Sequence, residues 1–242
     1  MTPSFIDRPT PNFDARRSLP DMIILHYTGM ESGEAAIERL CDPEARVSAH
    51  YVVEEDGRIF RLAPEERRCW HAGISHWRGE EELNHVSIGI EFVNPGHEFG
   101  YRAFPEAQVQ AVIALVGDIR TRWTISNDRI IGHSDVAPDR KEDPGELFPW
   151  KHLSELGHGL WVEVGAAPGA ALAEGEEGLG VLALQAGLNR LGYDCPPSGK
   201  YDATTTTIVR AFQRHWLQTR FDGVADGETR ARLVGLLRLA AT

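Results

Sequence analysis

The chain has 242 residues, of which 42% are hydrophobic and 25% are charged, a composition typical of a globular protein with one large domain or two smaller ones. The formal net charge of −11 argues against nucleic acid as a partner, because DNA and RNA binding depends on lysine and arginine side chains that neutralise phosphates. Three cysteines are too few, and an odd number, for a disulfide framework.

The compartment is predicted from two features of the sequence. No apolar run approaches the length of a membrane span, so no transmembrane segment is expected. Residues 1–19 include several charged side chains and no apolar core of signal-peptide length. The lack of a recognisable signal and the unpaired cysteines predict a cytoplasmic protein; the alternative is the periplasm or cell envelope, if a signal was removed or export is non-standard.

The N-terminal third begins with an irregular arm and continues with a strand and a helix. Residues 1–20 contain four prolines and are predicted to lack regular structure. Residues 21–28 have the length of a buried strand, and the apolar part of this run ends on His26. Ser32 can then cap a helix that continues to Leu40, with its apolar residues on one side.

A hairpin and a further strand follow. Residues 47–53 and 58–62 are strand-like and are joined by a segment with an Asp-Gly pair, which is typical of a β-hairpin. Residues 69–73 form a compact loop with a tryptophan and a histidine. The run 86–94 alternates in character, so Glu91 lies on the face opposite the apolar residues and either meets solvent or faces a site.

The pattern then becomes helical over 105–123, where apolar residues recur every three or four positions. A short apolar strand, 130–133, delivers His133 to its end, and 150–156 is a short helix. Strands that alternate with helices predict an α/β fold with a mixed central β-sheet flanked by helices.

A second, smaller domain is predicted after this one. Residues 165–178 are mainly glycine, alanine and glutamate, which favours a linker. Beyond it, three apolar stripes at helical spacing predict a small C-terminal three-helix domain near the lower size limit for independent folding. The predicted domains are therefore 1–164 and 179–242.

The loop after the strand 130–133 carries candidate metal ligands. It brings His133, Lys141 and Asp143 within eleven residues, and its prolines favour a shaped loop over a helix. Each residue alone has an ordinary explanation as a strand-end histidine, a solvated lysine or a turn aspartate. His26 ends another buried strand, however, and if the two strands are neighbours the chain supplies two imidazoles and one carboxylate.

Three protein ligands with an open fourth position are the pattern of a catalytic zinc ion, not of a structural one. Hydrolysis would also need a base for the attacking water and a positive group for the oxyanion. Glu91, near a strand end, suits the first role and Lys141 suits the second.

Five motifs in order resemble the zinc-dependent N-acetylmuramoyl-L-alanine amidases, which share a fold with the phage-type lysozyme amidase and the peptidoglycan recognition proteins. The resemblance covers roughly residues 20–160. It implies hydrolysis of the amide between N-acetylmuramic acid, or its 1,6-anhydro form, and L-alanine of the peptidoglycan stem peptide. It also implies Zn²⁺ on His26, His133 and Asp143, with Glu91 as general base and Lys141 on the oxyanion. The motifs lie at 24–28, 47–51, 70–73, 88–92 and 132–145.

The resemblance further implies a substrate groove lined by Arg68 and His71. His50 is assigned to the same groove, with the alternative that it is a hydrogen-bonding core residue beneath the site. Two positions depart from the family pattern. Asp139 replaces a small residue and adds negative charge, and Ala49 stands where some phage-type relatives have a catalytic tyrosine, which leaves the base role to Glu91.

The C-terminal residues resemble the three-helix peptidoglycan-binding domain that is often fused to wall hydrolases, with Ser198 in place of the commoner aspartate. Peptidoglycan or muropeptide fragments are therefore the expected partners. Phe212 and Trp216 are predicted to be core residues, because they lie at helical spacing. The remaining histidines are predicted to be surface or packing residues: His76, His85, His97, His152, His158 and His215.

Two alternatives to the amidase stay open. The first is a non-catalytic peptidoglycan recognition protein of the same fold, although relatives of that kind usually lack a metal ligand and this chain has all three. The second is an unrelated zinc hydrolase, which the spacing from His133 to Asp143 disfavours.

Overall fold

The computed structural model describes residues 3–240. Its strands are β1 (Phe5–Asp7), β2 (Phe13–Ala15), β3 (Met22–Tyr27), β4 (Tyr51–Val53), β5 (Ile59–Arg61), β6 (Arg67–Cys69), β7 (His76–Trp77), β8 (Glu80–Glu81), β9 (Ser87–Phe92) and β10 (Ile130–Gly132). Its helices are α1 (Gly33–Cys41), α2 (Gly96–Phe99), α3 (Glu106–Arg122), α4 (His133–Val136), α5 (Trp150–Glu155), α6 (Leu179–Leu191), α7 (Ala203–Trp216) and α8 (Gly227–Leu239).

Six strands form a mixed central sheet in the order β1-β5-β4-β9-β3-β10, which confirms the predicted fold class. The predicted hairpin is the antiparallel pair β4–β5, and the other pairs of this sheet are parallel. The strands that carry the site are neighbours. His26 of β3 lies in register with Glu91 of β9, and β10 pairs with the other edge of β3, directly before His133.

The alternation of side chains along β3 separates two layers. Ile23 and Leu25 pack with the apolar stripe of α3, which includes Val112 and Val116. Met22 and Ile24 face the opposite side of the sheet, where they join the core of the C-terminal helices. Because successive side chains of a strand point to opposite faces, His26 lies on the same side as Ile24.

Helix α1 covers a third cluster at the other end of the sheet. Ser32 caps it as predicted, accepting a hydrogen bond from the Ala35 amide. Its buried residues Ile37 and Leu40 pack against β4 and β5. This helix also forms one wall of the cleft described below.

The expectation of an irregular N-terminal arm is wrong for two segments. Phe5–Asp7 forms β1 at the edge of the sheet because Phe5 packs on Tyr51 and its backbone pairs with β5. Phe13–Ala15 pairs with β6 as a separate ribbon. The segment after β10 also differs from the predicted loop. Residues His133–Val136 make one helical turn, which ends before Pro138.

The C-terminal helices share one hydrophobic core with the sheet. Trp77 and Ile131 lie in the same buried cluster as Leu188, Tyr193 and Phe212. The segment 165–178, predicted to be a linker, runs along the C-terminal module, which comprises α6 to α8. Two isolated β-bridges join the segment to this module. Phe212 and Trp216 are buried, as predicted. In the described range, no helix combines the length and apolar character needed to cross a membrane.

Candidate metal centre and active site

The three predicted ligands meet at one point. All three residues are buried, with between 1% and 5% of their surface exposed. His26 Nδ1 lies 2.9 Å from His133 Nδ1, and each of these nitrogens lies 3.0 Å from Asp143 Oδ2. The donors of a tetrahedral zinc site with bonds of about 2.1 Å lie about 3.4 Å apart, so this triangle has nearly the right size.

The proton of His133 can be placed from its neighbours. Its Nε2 lies 3.1 Å from the Ala72 carbonyl, which can only accept, so Nε2 carries the proton. In the neutral imidazole, Nδ1 therefore presents a lone pair to the centre of the triangle.

The proton of His26 follows from a longer chain of hydrogen bonds. Ser87 Oγ donates to the Leu83 carbonyl at 2.6 Å, so it must accept from Nε2–H of His71 at 3.3 Å. His71 Nδ1 is then an acceptor, and His26 Nε2–H donates to it at 3.0 Å. His26 Nδ1 therefore also presents a lone pair to the centre of the triangle.

Two imidazole lone pairs and a carboxylate oxygen therefore face each other at about 3 Å with no proton between them. A cation satisfies this arrangement, and nitrogen and oxygen donors of this kind suit zinc. The residues present fit the predicted metal.

Burial and charge set the protonation of the ligands. Burial lowers the pKa of His26 to about 4, so the ring is neutral at pH 7 and able to bind a metal. Burial alone would raise the pKa of Asp143, whereas protonation of the adjacent His133 or His26 would hold that pKa well below its usual range. The neutral His26 ring therefore needs no deprotonation before it binds a metal at pH 7.

Glu91 and Lys141 line the same cleft of about 300 Å³ as the three ligands. Glu91 is partly exposed, yet its Oε2 is covered and has no hydrogen-bond partner among residues 3–240. Burial, followed by the charge of Asp143, raises the pKa of Glu91 well above its usual value, which makes its carboxylate a stronger base. The structure brings both predicted catalytic residues to the ligand triangle.

His71 lies directly beneath His26, where Gly89 makes room for it. A Cβ on Gly89 would lie 2.4 Å from Cγ of His71, so only glycine allows the ring to rest on β9. Burial lowers the pKa of His71 well below its usual value. His71 is 9% exposed, and its main contacts support the candidate ligand His26.

The other two residues assigned to the groove have different surroundings. His50 is fully buried and accepts a hydrogen bond from the Gly89 amide, so it lies in the core beneath the site, the alternative considered above. Arg68 forms a bidentate ion pair with Asp14 on the β2–β6 ribbon and does not line the cleft. The exposed Asp139 lies on a separate groove towards the C-terminal module.

Sequence reasoning missed several supporting residues. Ser87 and Gly89 share the Glu91 face of an alternating strand, and that periodicity was the available signal for them. Asp135 accepts from the Gly132 amide at the start of α4, at 2.8 Å, an arrangement that an acidic residue near a helix N-terminus can indicate.

Two protein families match parts of this chain. Residues 15–146 match the family model described as N-acetylmuramoyl-L-alanine amidase, and residues 177–233 match a family of proposed peptidoglycan-binding domains. The N-acetylmuramoyl-L-alanine amidase AmiD of Escherichia coli strain K12 is 36% identical over 236 residues, covering 89% of this chain and 82% of AmiD.

Two solved structures are similar over nearly the whole chain. The complex of E. coli AmiD with anhydro-N-acetylmuramic acid-L-Ala-D-gamma-Glu-L-Lys has a TM-score of 0.78 at 35% identity, covering 93% of this chain and 92% of that one. Pseudomonas aeruginosa AmpDh3 in complex with anhydromuramic pentapeptide has a TM-score of 0.79 at 30% identity, covering 96% of each chain. The predicted resemblance is confirmed: the chain belongs to the N-acetylmuramoyl-L-alanine amidase family and carries a C-terminal domain of the peptidoglycan-binding type.

Proposed function

We propose that the chain is a zinc-dependent amidase that cleaves the bond between N-acetylmuramic acid, or its 1,6-anhydro form, and L-alanine of the stem peptide. The observation that carries this proposal is the set of three lone pairs that converge from His26, His133 and Asp143. The family depends on zinc in general. The solved relatives with bound muropeptides support the substrate class.

When bound, zinc supplies Lewis acidity that activates water and polarises the amide carbonyl. Glu91 accepts the proton of the attacking water at its free Oε2 and later delivers a proton to the amine nitrogen of L-alanine, as the carbon–nitrogen bond breaks. The Lys141 ammonium makes no hydrogen bond or ion pair within residues 3–240 and is available to stabilise the oxyanion. Water is thereby divided between the lactyl carboxylate and the free peptide.

Other side chains of the cleft surround the proposed catalytic residues. Tyr27, Met30, Arg39 and Trp70 line the cleft together with the catalytic residues. His71 remains a proposed substrate contact at its small exposed edge, whereas Arg68 would need to leave Asp14 to reach a ligand. Peptidoglycan fragments are the proposed partners of the C-terminal module as well.

The test is release of free peptide from purified muramyl-peptide, with and without a chelator. We expect cleavage to stop with the chelator and to return with zinc. The variant Glu91→Gln is the matched control: it should bind zinc and fail to cleave. Cleavage that ignores the chelator, or none with zinc restored, would reject the proposal. Parallel digests of purified sacculi and soluble anhydro-muropeptides would identify the preferred form.

The predicted cytoplasmic location is a separate proposal. A cytoplasmic enzyme of this kind would act on soluble turnover fragments, whereas an envelope enzyme would meet the intact wall. Fractionation of cells that express the untagged chain distinguishes the two, since the enzyme should then be recovered with cytoplasmic markers.

A further inference from the structure

A buried carboxylate joins the two modules beside the metal centre. Asp135 is 1% exposed and receives three hydrogen bonds. One comes from the Gly132 amide of its own loop, at 2.8 Å. The other two come from the C-terminal module: Tyr193 Oη donates at 2.6 Å, and His215 Nδ1 donates at 2.7 Å.

Asp135 fixes the backbone turn that carries the candidate ligand His133 and that is hydrogen-bonded to the candidate ligand Asp143. His133 follows Gly132 directly, as the first residue of the turn that Asp135 closes. The next amide, that of Ser134, donates to the backbone carbonyl of Asp143 at 2.9 Å. A shift of this turn would therefore move His133 and loosen its link to Asp143.

His215 is held in a fixed orientation. Its ring is stacked between Trp150 and Trp216, with centroid separations of 3.7 and 3.6 Å. Because the acceptor is a carboxylate, Nδ1 of His215 carries the proton. The ring cannot tilt out of this plane without losing its stacking contacts, and a half-turn within the plane would replace the donor Nδ1 by a carbon atom.

Residues at and just after the C-terminal end of α7 also bind the segment 142–148, which includes Asp143. Arg214 donates to Glu142, the neighbour of Asp143, at 2.8 Å. Gln218 donates to the carbonyls of Glu146 and Phe148, at 2.8 and 2.6 Å. The C-terminal module thus makes hydrogen bonds both to the turn that begins with His133 and to the residues that flank Asp143.

We propose that Tyr193 and His215 are positioning residues for the metal centre, so that the C-terminal module completes the active site in addition to any wall binding. Without their donors, the Asp135 carboxylate would be buried with one partner, a costly state that favours its rotation away from Gly132. The ligand triangle would then lose its preset geometry. This inference rests on the proposed zinc-dependent function.

The experiment measures the zinc dissociation constant of the full chain by competition with a chromogenic chelator. His215→Phe keeps a stacking ring and removes the donor, whereas His215→Asn keeps an amide donor near the position of Nδ1. Tyr193→Phe removes a single oxygen. The matched control is Tyr201→Phe, because the Tyr201 hydroxyl is also buried but donates within the C-terminal module, to Gly223.

We expect His215→Phe and Tyr193→Phe to weaken zinc binding about tenfold, the lower end of what loss of supporting hydrogen bonds costs. His215→Asn should recover most of that loss, and Tyr201→Phe should bind like the wild type. Thermal unfolding of the metal-free proteins shows whether each variant folds. If His215→Phe does not fold, the comparison of Tyr193→Phe with Tyr201→Phe tests the inference.

Two outcomes overturn the inference: zinc binding unchanged in Tyr193→Phe, or an equal loss in Tyr193→Phe and Tyr201→Phe. A wild-type chain that binds no zinc would instead overturn the proposed function, so the two failures are distinguishable.

Discussion

The substitution Gly89→Ala tests how strictly the sheet surface beneath the metal centre is specified. The added Cβ would lie 2.4 Å from Cγ, 2.6 Å from Cδ2 and 2.7 Å from Nδ1 of His71. Carbon atoms in contact lie about 3.5–4.0 Å apart, so the ring must retreat by about 1 Å.

The retreat has two costs. The ring is enclosed by His26, His50 and Ser87, so overpacking should lower the free energy of unfolding by about 1–3 kcal/mol. The 3.0 Å hydrogen bond from His26 to His71 would stretch beyond hydrogen-bonding distance. Loss of such support typically weakens metal binding about 10- to 100-fold.

The assay pairs two measurements on the same protein. Chemical denaturation of the metal-free chain gives the change in stability, and chelator competition gives the zinc dissociation constant. Gly165→Ala is the control, because no atom lies within 4 Å of the position that its Cβ would occupy. If Gly89→Ala loses stability but binds zinc as tightly as the wild type, the support of His26 by His71 is refuted.

Three further predictions concern catalysis and pH. Glu91→Gln should lower kcat about 10²- to 10⁴-fold and leave zinc binding intact, measured by peptide release and chelator competition; a smaller loss would assign the base elsewhere. Lys141→Met should lower kcat about 10²- to 10³-fold with little change in KM, and an effect confined to KM would contradict an oxyanion role. Burial alone would raise the pKa of Glu65, but hydrogen bonds from Arg122 and then from Trp123 lower it. The ionised Glu65 therefore stabilises the fold above its unfolded pKa of about 4.3, and this stabilisation is lost as the pH falls through the folded pKa. Glu65→Gln should therefore cost about 2 kcal/mol at pH 7 and less at pH 3 in denaturation curves, and a pH-independent cost would refute the linkage.

Much of the candidate metal centre was predictable because its residues follow local patterns. His26 and His133 each end an apolar run of strand length, and Asp143 lies in a proline-containing loop. Parallel strands bring their carboxyl ends to one edge of a sheet, so strand-end residues meet whenever the strands are neighbours. The alternation of 86–94 likewise placed Glu91 on the face of the site.

The N-terminal strands were not predictable in the same way. Phe5–Asp7 and Phe13–Ala15 have three residues each, too short for a periodic pattern. They are strands only because β5 and β6 offer free edges for pairing. His50 was assigned to the groove from its motif, but packing under β9 buries it.

The sequence alone determined which residues could bind a metal and which elements carry them, because periodicity and turn chemistry act over a few neighbouring residues. Only the tertiary structure decided what supports those residues. The bond from Tyr193 to Asp135 joins positions 58 residues apart, and the bond from His215 joins positions 80 residues apart. Such contacts arise when two apolar surfaces pack into one core, and no local pattern specifies which polar groups are brought together between them.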